Sequence, residues 1–274
     1  VGIDSMMYEL NQSVLLPNSD INVADAISKY TKHDLSDLKN SELMDRVDST
    51  FLLPVDTLSH ILASCNNFYS VLTIDDVNLF QYNNIYFDTA NLDFYRSHHN
   101  RKLNRYKVRH RNYADVGSSF LEVKFKNNKG RTIKTRCASD DKPSAALISN
   151  ARFLDSNGIE QSNSLIASQS CNYQRISLAN DAQHERLTLD LNVNFINQLN
   201  NSNFENSYIL SNFYIAELKQ EKLNRQSPFY RLIREMAIRS KGFSKYCMGV
   251  SLTNNKHIKT NRFKANLMRL ERGA

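Results

Sequence analysis

In Lys107-Val108-Arg109-His110-Arg111-Asn112-Tyr113, three cations and a tyrosine occupy every second position. In an extended segment those positions share one face, so Lys107, Arg109, Arg111 and Tyr113 line up on one side of a strand. The next extended run, residues 120–126, repeats the division, with Leu121, Val123 and Phe125 on one face and Glu122, Lys124 and Lys126 on the other. Past the hairpin signal Asn127-Asn128-Lys129-Gly130, residues 131–136 put Thr132, Lys134 and Arg136 together. Three neighbouring strands thus present a cationic face. Either that face is the solvated surface of an ordinary sheet, where strand charges usually lie, or it lines a closed barrel that holds a polyanion.

Working upstream, residues 46–53 alternate, with Arg46, Asp48 and Thr50 opposite Val47, Phe51 and Leu53. Pro54 ends that strand and opens a helix carrying Val55, Leu58, Ile61 and Leu62. Residues 71–74 and 84–89 read as strands, and 92–101, dense in basic and aromatic groups, as a connection with a helical turn. Leu35, Leu38, Leu43 and Met44 predict a short helix over 33–44. Downstream, 143–154 reads as a helix. Strands follow at 171–178 (Tyr173 and Arg175 in phase), 186–191 (Arg186, Thr188, Asp190) and 213–219 (Glu217 and Lys219 opposite Tyr214, Ala216 and Leu218). A helix over 228–240 carries the stripe Phe229, Leu232, Ile233, Met236 and Ala237. The expected organisation is a loosely ordered extension over 1–31, one domain over 32–252 and a basic, fraying tail over 253–274.

Nearly every strand repeats one division, charged on one face and apolar on the other, and amphipathic helices are available to cover the apolar face. The expected fold is therefore α+β, an antiparallel barrel with a charged lumen and helices packed outside. Gathering so many cations inside is costly unless an anion and a few carboxylates compensate them, and a phosphate-rich ligand suits Arg and Lys alike. The interspersed Asp48, Glu122, Asp190 and Glu217 either neutralise neighbouring cations or bind a hard divalent ion with phosphate oxygens and water. Glu217, beside Lys219, leads as the metal candidate.

The 274 residues, 41% hydrophobic and with a net charge of +7, suffice for a large core and favour an anionic partner. Cys65, Cys137, Cys171 and Cys247 are scattered without metal or disulfide spacing. No apolar run reaches the ~20 residues of a membrane span, so a cytoplasmic protein without a membrane segment is expected. No Walker loop or GxSxG is present. His98-His99 offers a metal or proton-transfer pair, and the aromatic and basic groups around Tyr106 a nucleic-acid platform, but packed aromatics beneath phosphate-facing cations are the preferred reading, with no nucleic acid partner.

Taken in order, Arg46-x-Asp48-x-Thr50-Phe51, Tyr86-Phe87-Asp88-Thr89, Phe94-Tyr95, His98, Lys107-x-Arg109-x-Arg111-x-Tyr113, Leu121-Glu122-Val123-Lys124, Lys134-x-Arg136, Tyr173-x-Arg175, Glu217-Leu218-Lys219 and Phe243-Ser244-Lys245-Tyr246 resemble the VTC (vacuolar transporter chaperone) polyphosphate polymerase domain, a member of the triphosphate tunnel metalloenzymes, also called CYTH-like. The resemblance implies an eight-stranded antiparallel tunnel in which the γ-phosphoryl group of ATP passes to a growing polyphosphate chain, with Mn²⁺ or Mg²⁺ as cofactor. It implies catalytic cations at Lys245, Arg109, Arg111 and Lys219. Phosphate-binding roles fall by the same resemblance to Lys124, Lys134, Tyr173, Arg175, Arg186 and Ser244, and the metal to Glu217; the strand faces add Lys107, Lys126 and Arg136 as phosphate contacts and Glu122 and Asp190 as further metal candidates. Such chemistry needs positioning and charge neutralisation rather than a protein nucleophile. One position departs: the family's first strand usually carries a lysine where this chain has Thr50, and a lost charge-assisted contact is worth ~1.5–3 kcal/mol. Hydrolysis of a triphosphate or polyphosphate in the same tunnel, or weakly catalytic sensing of polyphosphate or nucleotide, are the alternative functions.

Overall fold

The structure, a computed structural model, describes residues 23–37, 47–160, 162–199, 206–254 and 258–273. Its elements are α1 (Val23–Ser28), β1 (Thr31–His33), β2 (Val47–Pro54), α2 (Leu58–Cys65), β3 (Ser70–Leu72), β4 (Phe80–Thr89), α3 (Asp93–His99), β5 (Arg105–Tyr113), β6 (Ser118–Lys126), β7 (Thr132–Ala138), α4 (Pro143–Ser149), α5 (Ala151–Ser156), β8 (Leu165–Asn180), β9 (Glu185–Asn197), β10 (Ser207–Ile209), β11 (Phe213–Gln220), α6 (Pro228–Glu235), α7 (Lys245–Thr253) and α8 (Lys264–Arg272). Eight strands follow one antiparallel path, β2-β11-β9-β8-β4-β5-β6-β7. The path is barrel-like. Its end strands β2 and β7 share no ladder among the described residues, so the seam stays open. Short β1 and β3 pair in parallel beside β8, and β10 adds to β9.

Alternation assigns the two faces as the sequence implies. On the outer face Phe51, Leu53, Leu187, Leu189, Tyr214, Ala216 and Leu218 pack against Leu58, Ile61 and Leu62 of α2 and Phe229 and Ile233 of α6. Farther round, Val108, Leu121 and Val123 pack against Leu147 of α4 and Leu154 of α5. Each such side chain, fully buried, contributes roughly 1.5–3 kcal/mol, and together they hold the charged residues on the opposite face.

The second face also carries apolar matter that the sequence reading did not foresee. Helix α7 lies on it against β8, β9 and β10, burying Tyr246, Cys247, Met248 and Val250 with Tyr86, Cys171, Val193 and Phe195. Gly249 permits the approach, since a Cβ there would stand 2.7 Å from the Phe195 ring. Val193 and Phe195 reach this face because Asn192, at φ 52°, sits where the β8–β9 register shifts and reverses the phase of β9.

Several expectations need correction. His33 ends a strand rather than opening a helix, and Asp34 then closes a turn by accepting from the Ser36 and Asp37 amides at 2.6 and 3.1 Å. The rest of the expected 33–44 helix, and Arg46, lie outside the described residues. Within the expected loose extension, residues 23–31 are docked: Ile27 is buried, and the Tyr30 hydroxyl donates to the Leu62 carbonyl at 2.7 Å. The 143–154 helix breaks at Asn150, whose amide donates back to Ala146 O at 3.0 Å. The 228–240 helix ends at Glu235, because Ala237 turns to φ 56° and the Ile238 amide bonds Ile233 O. The expected fraying tail contains α8, with Leu270 buried and Asn266 donating to Gly242 O at 3.0 Å.

Candidate phosphate-binding face

Cross-strand register arranges the cations of β5, β6 and β7 in rows. Lys107, Lys124 and Lys134 stand directly opposite one another across the three strands; beside them runs the row Arg109, Glu122 and Arg136. Like charges set directly opposite are destabilising on their own. Arg109 is balanced, since its Nε donates to Glu122 Oε2 at 2.6 Å and its Nη1 to the Tyr86 hydroxyl at 3.3 Å. Burial would raise the Glu122 carboxyl, but Arg109 and Arg111 outweigh it and hold it below its usual range. Lys126 continues the phase opposite Arg105 and Thr132 at the end of these strands.

Deeper in, Arg175 makes a two-pronged contact with Asp190, Nε to Oδ1 at 2.5 Å and Nη2 to Oδ2 at 2.8 Å, and Lys245 Nζ reaches the same carboxylate. Asp190 is fully buried, yet Arg175 and Lys245 overcome that burial and keep its carboxyl far below the usual range. Arg175 lies over the Tyr82 and Tyr173 rings at 4.9 and 5.2 Å, and Lys245 over Tyr173 at 4.9 Å. Arg111 differs. Although buried, among the described residues it donates to neutral oxygens, Asn84 Oδ1 at 3.0 Å and the Tyr113 and Tyr173 hydroxyls at 3.4 Å.

Lys107 Nζ donates to Ser244 Oγ at 2.8 Å, and that hydroxyl also caps α7 by accepting from the Cys247 amide. Burial lowers the Lys107 ammonium to about 8, with Lys124, Arg109 and Arg105 pushing the same way. From pH 8 to 10.5 the unfolded chain therefore holds a proton that the folded one lacks. An anion bound at Lys107 would restore it, so at pH 9 tripolyphosphate binding is expected to take up close to one proton more in the wild-type protein than in Lys107→Met, a difference that vanishes at pH 6.5 and in which the anion's own titration cancels. Titration calorimetry in buffers of different ionisation heat reads this difference directly.

The expected site residues thus share one face, but not one role. Arg186 turns toward Asp181 at 2.9 Å, at the β8–β9 turn. Glu122 and Asp190 are held in ion pairs, and among the described residues no cluster of three or more His, Cys, Asp or Glu forms a ready metal cage. Glu217 remains: burial raises its carboxyl, but Lys219, Lys245 and Arg175 bring it down to about 2. The histidines do not pair. His99 Nε2 bonds Asn261 at 2.7 Å, while burial and the cations Lys107, Arg105 and Lys124 push His98 down to about 2, so it stays neutral. Tyr82, Asn84 and Tyr86 also line this face, though the sequence assigned none of them a site role. Their alternation along β4 was the available signal, obscured because tyrosine is as much at home in a core.

A family model described as the VTC domain matches residues 45–254. No curated protein matches the chain. Among solved structures the chain is similar to a proposed adenylate cyclase of Bacillus halodurans, with 13% identity and a TM-score of 0.47 over 73% of this chain and 94% of that one. A proposed adenylate cyclase of Vibrio parahaemolyticus gives 12% and 0.44 over 76% and 98%. A proposed adenylyl cyclase of Hippeastrum, reported with a dominant triphosphatase activity, gives 14% and 0.44 over 78% and 98%. No helix of the described residues is long and apolar enough to cross a membrane.

Proposed function

The chain belongs to the VTC domain family, and from that premise we propose that it is a metal-dependent polyphosphate polymerase, passing the γ-phosphoryl group of ATP to the end of a polyphosphate chain. The observation that carries this reading is the in-register row Lys107, Lys124 and Lys134, continued inward by Arg109, Arg111, Arg175 and Lys245. A compact phosphate needs a pocket. A line of cations crossing several strands matches a linear polyanion in shape and charge.

Phosphoryl transfer passes through a loose transition state with charge spread over the equatorial oxygens, so the protein's share is to position and to neutralise. Arg111 and Lys107 donate to those oxygens, Asp190 fixes the directions of Arg175 and Lys245, and the tyrosine rings keep the guanidinium groups in place. Mn²⁺ or Mg²⁺ fits beside Glu217, an ionised carboxylate that among the described residues no guanidinium holds, next to the buried Thr188 Oγ1, which has no hydrogen-bond partner among them. When bound, such an ion supplies charge neutralisation to phosphate oxygens.

The deciding experiment incubates the purified protein with ATP and Mn²⁺, with and without a short polyphosphate primer, and follows long-chain polyphosphate, ADP and free phosphate. Polymer with matching ADP is the expected result. Free phosphate alone would make the protein a hydrolase, and triphosphate binding without either product a sensor.

A further inference from the structure

Strands β2, β11 and β9 lie side by side, and their register sets Thr50, Glu217 and Thr188 directly opposite one another. Directly opposed residues have Cβ atoms roughly 4.5–5.5 Å apart, so the Glu217 carboxylate has a hydroxyl-bearing neighbour on each side. Alternation places all three on the charged face, Thr188 sharing the phase of Asp190 and Glu217 that of Lys219.

Two observations mark this row. Thr188 is only 7% exposed, and its Oγ1 is buried with no hydrogen-bond partner among the described residues. A buried hydroxyl left unmade costs ~1–3 kcal/mol, and valine would fill the same volume without that cost. The second is the contrast between carboxylates: Glu122 and Asp190 bond directly to guanidinium groups, whereas among the described residues no guanidinium bond is made to Glu217, which instead stands between two threonines.

We infer that Thr188 Oγ1 and the Glu217 carboxylate, with the Thr50 hydroxyl on the far side, form the protein's share of the oxygen shell of a hard divalent cation, Mn²⁺ or Mg²⁺. This deepens the polymerase reading and rests on it. Such ions take oxygen ligands and keep several waters or phosphate oxygens, so one carboxylate and neutral hydroxyls make an adequate wall. An ammonium at position 50 would repel the ion; a hydroxyl there adds a donor. The exchange of lysine for threonine on the first strand thus removes a phosphate contact and completes a metal-binding row. Because Lys219, Lys245 and Arg175 surround Glu217, the ion arrives with the phosphates rather than ahead of them.

The test compares equilibrium binding of a non-hydrolysable ATP analogue with and without saturating Mn²⁺, so that the metal's part is read separately from that of the phosphates. Thr188→Val should weaken the Mn²⁺-nucleotide complex ~10-fold, as loss of a metal-supporting group does, while metal-free nucleotide binding and thermal stability are retained. Thr50→Lys should tighten metal-free binding and diminish the gain from Mn²⁺. If Thr188→Val leaves the gain from Mn²⁺ intact while Glu217→Gln removes it, the threonine inference is wrong and the metal at Glu217 stands. If neither variant changes the gain, the metal lies elsewhere and both fall. Polymer formation by the wild-type protein is scored independently of either.

Discussion

Asp190→Asn is expected to destabilise the protein by about 3–5 kcal/mol, the usual consequence of removing one partner of a buried charge cluster. Asp190 is fully buried and is the carboxylate that both Arg175 and Lys245 bond to. Asparagine preserves the volume and leaves two cations facing each other across a neutral amide. The pH dependence has a definite sign: because the Asp190 carboxyl is held below its unfolded value, its contribution is complete above the usual carboxylate range and fades as the pH falls through the folded value. The same variant should regain much of its melting temperature when tripolyphosphate is added, since an external anion can take the place of the missing carboxylate. Chemical denaturation with and without tripolyphosphate measures both effects. A variant as stable as the wild type, or one that phosphate leaves unimproved, would show that Asp190 is not the keystone of these cations.

Arg111 yields the largest expected loss of activity. Its guanidinium is buried and, among the described residues, donates to the neutral oxygens of Asn84, Tyr113 and Tyr173, with Glu122 acting on it without a direct bond, so its N–H groups can turn to a ligand. Arg109 and Arg175 already have carboxylates. Arg111→Lys keeps the charge but loses the planar fork that these three oxygens orient, and Arg111→Ala loses both. Charge-assisted bonds of this kind are worth ~1.5–3 kcal/mol each, so kcat/KM should fall by ~10²-fold for lysine and ~10³-fold for alanine. Thermal stability should fall somewhat in Arg111→Ala, because the buried Asn84 Oδ1 loses its donor, so kcat/KM is read at a temperature where wild type and variant are both folded. A tenfold loss or less in Arg111→Ala, in a protein that does make polymer, would shift the principal phosphate contact to Lys107 or Lys245.

Legibility followed the strand period. Lys107, Arg109 and Arg111, or Glu217 and Lys219, declare their face by alternation alone, and the structure places them together on it. Three things were hidden for physical reasons. Helix α7 is buried on nearly every side, so it has no polar face and no amphipathic period to recognise. The phase reversal at Asn192 depends on a single residue in an uncommon backbone conformation. The pairing of Asp190 with Arg175 and Lys245 joins β9, β8 and the start of α7, segments whose proximity no local pattern announces. The contrast between Arg109, bonded to a carboxylate, and Arg111, bonded to neutral oxygens, which matters most for chemistry, is likewise a property of three dimensions.

Strand β2 comes early in the chain, yet its partner in the sheet is β11, residues 47–54 against 213–220. During synthesis Phe51, Leu52 and Leu53, all buried in the finished protein, must wait on the nascent polypeptide until nearly the whole domain has left the ribosome. Pairings this distant make folding slow and leave an apolar edge uncovered meanwhile. A chain that ends before residue 213 should therefore aggregate rather than yield a smaller working barrel, and production of the protein should benefit from slower translation or added holdase chaperones.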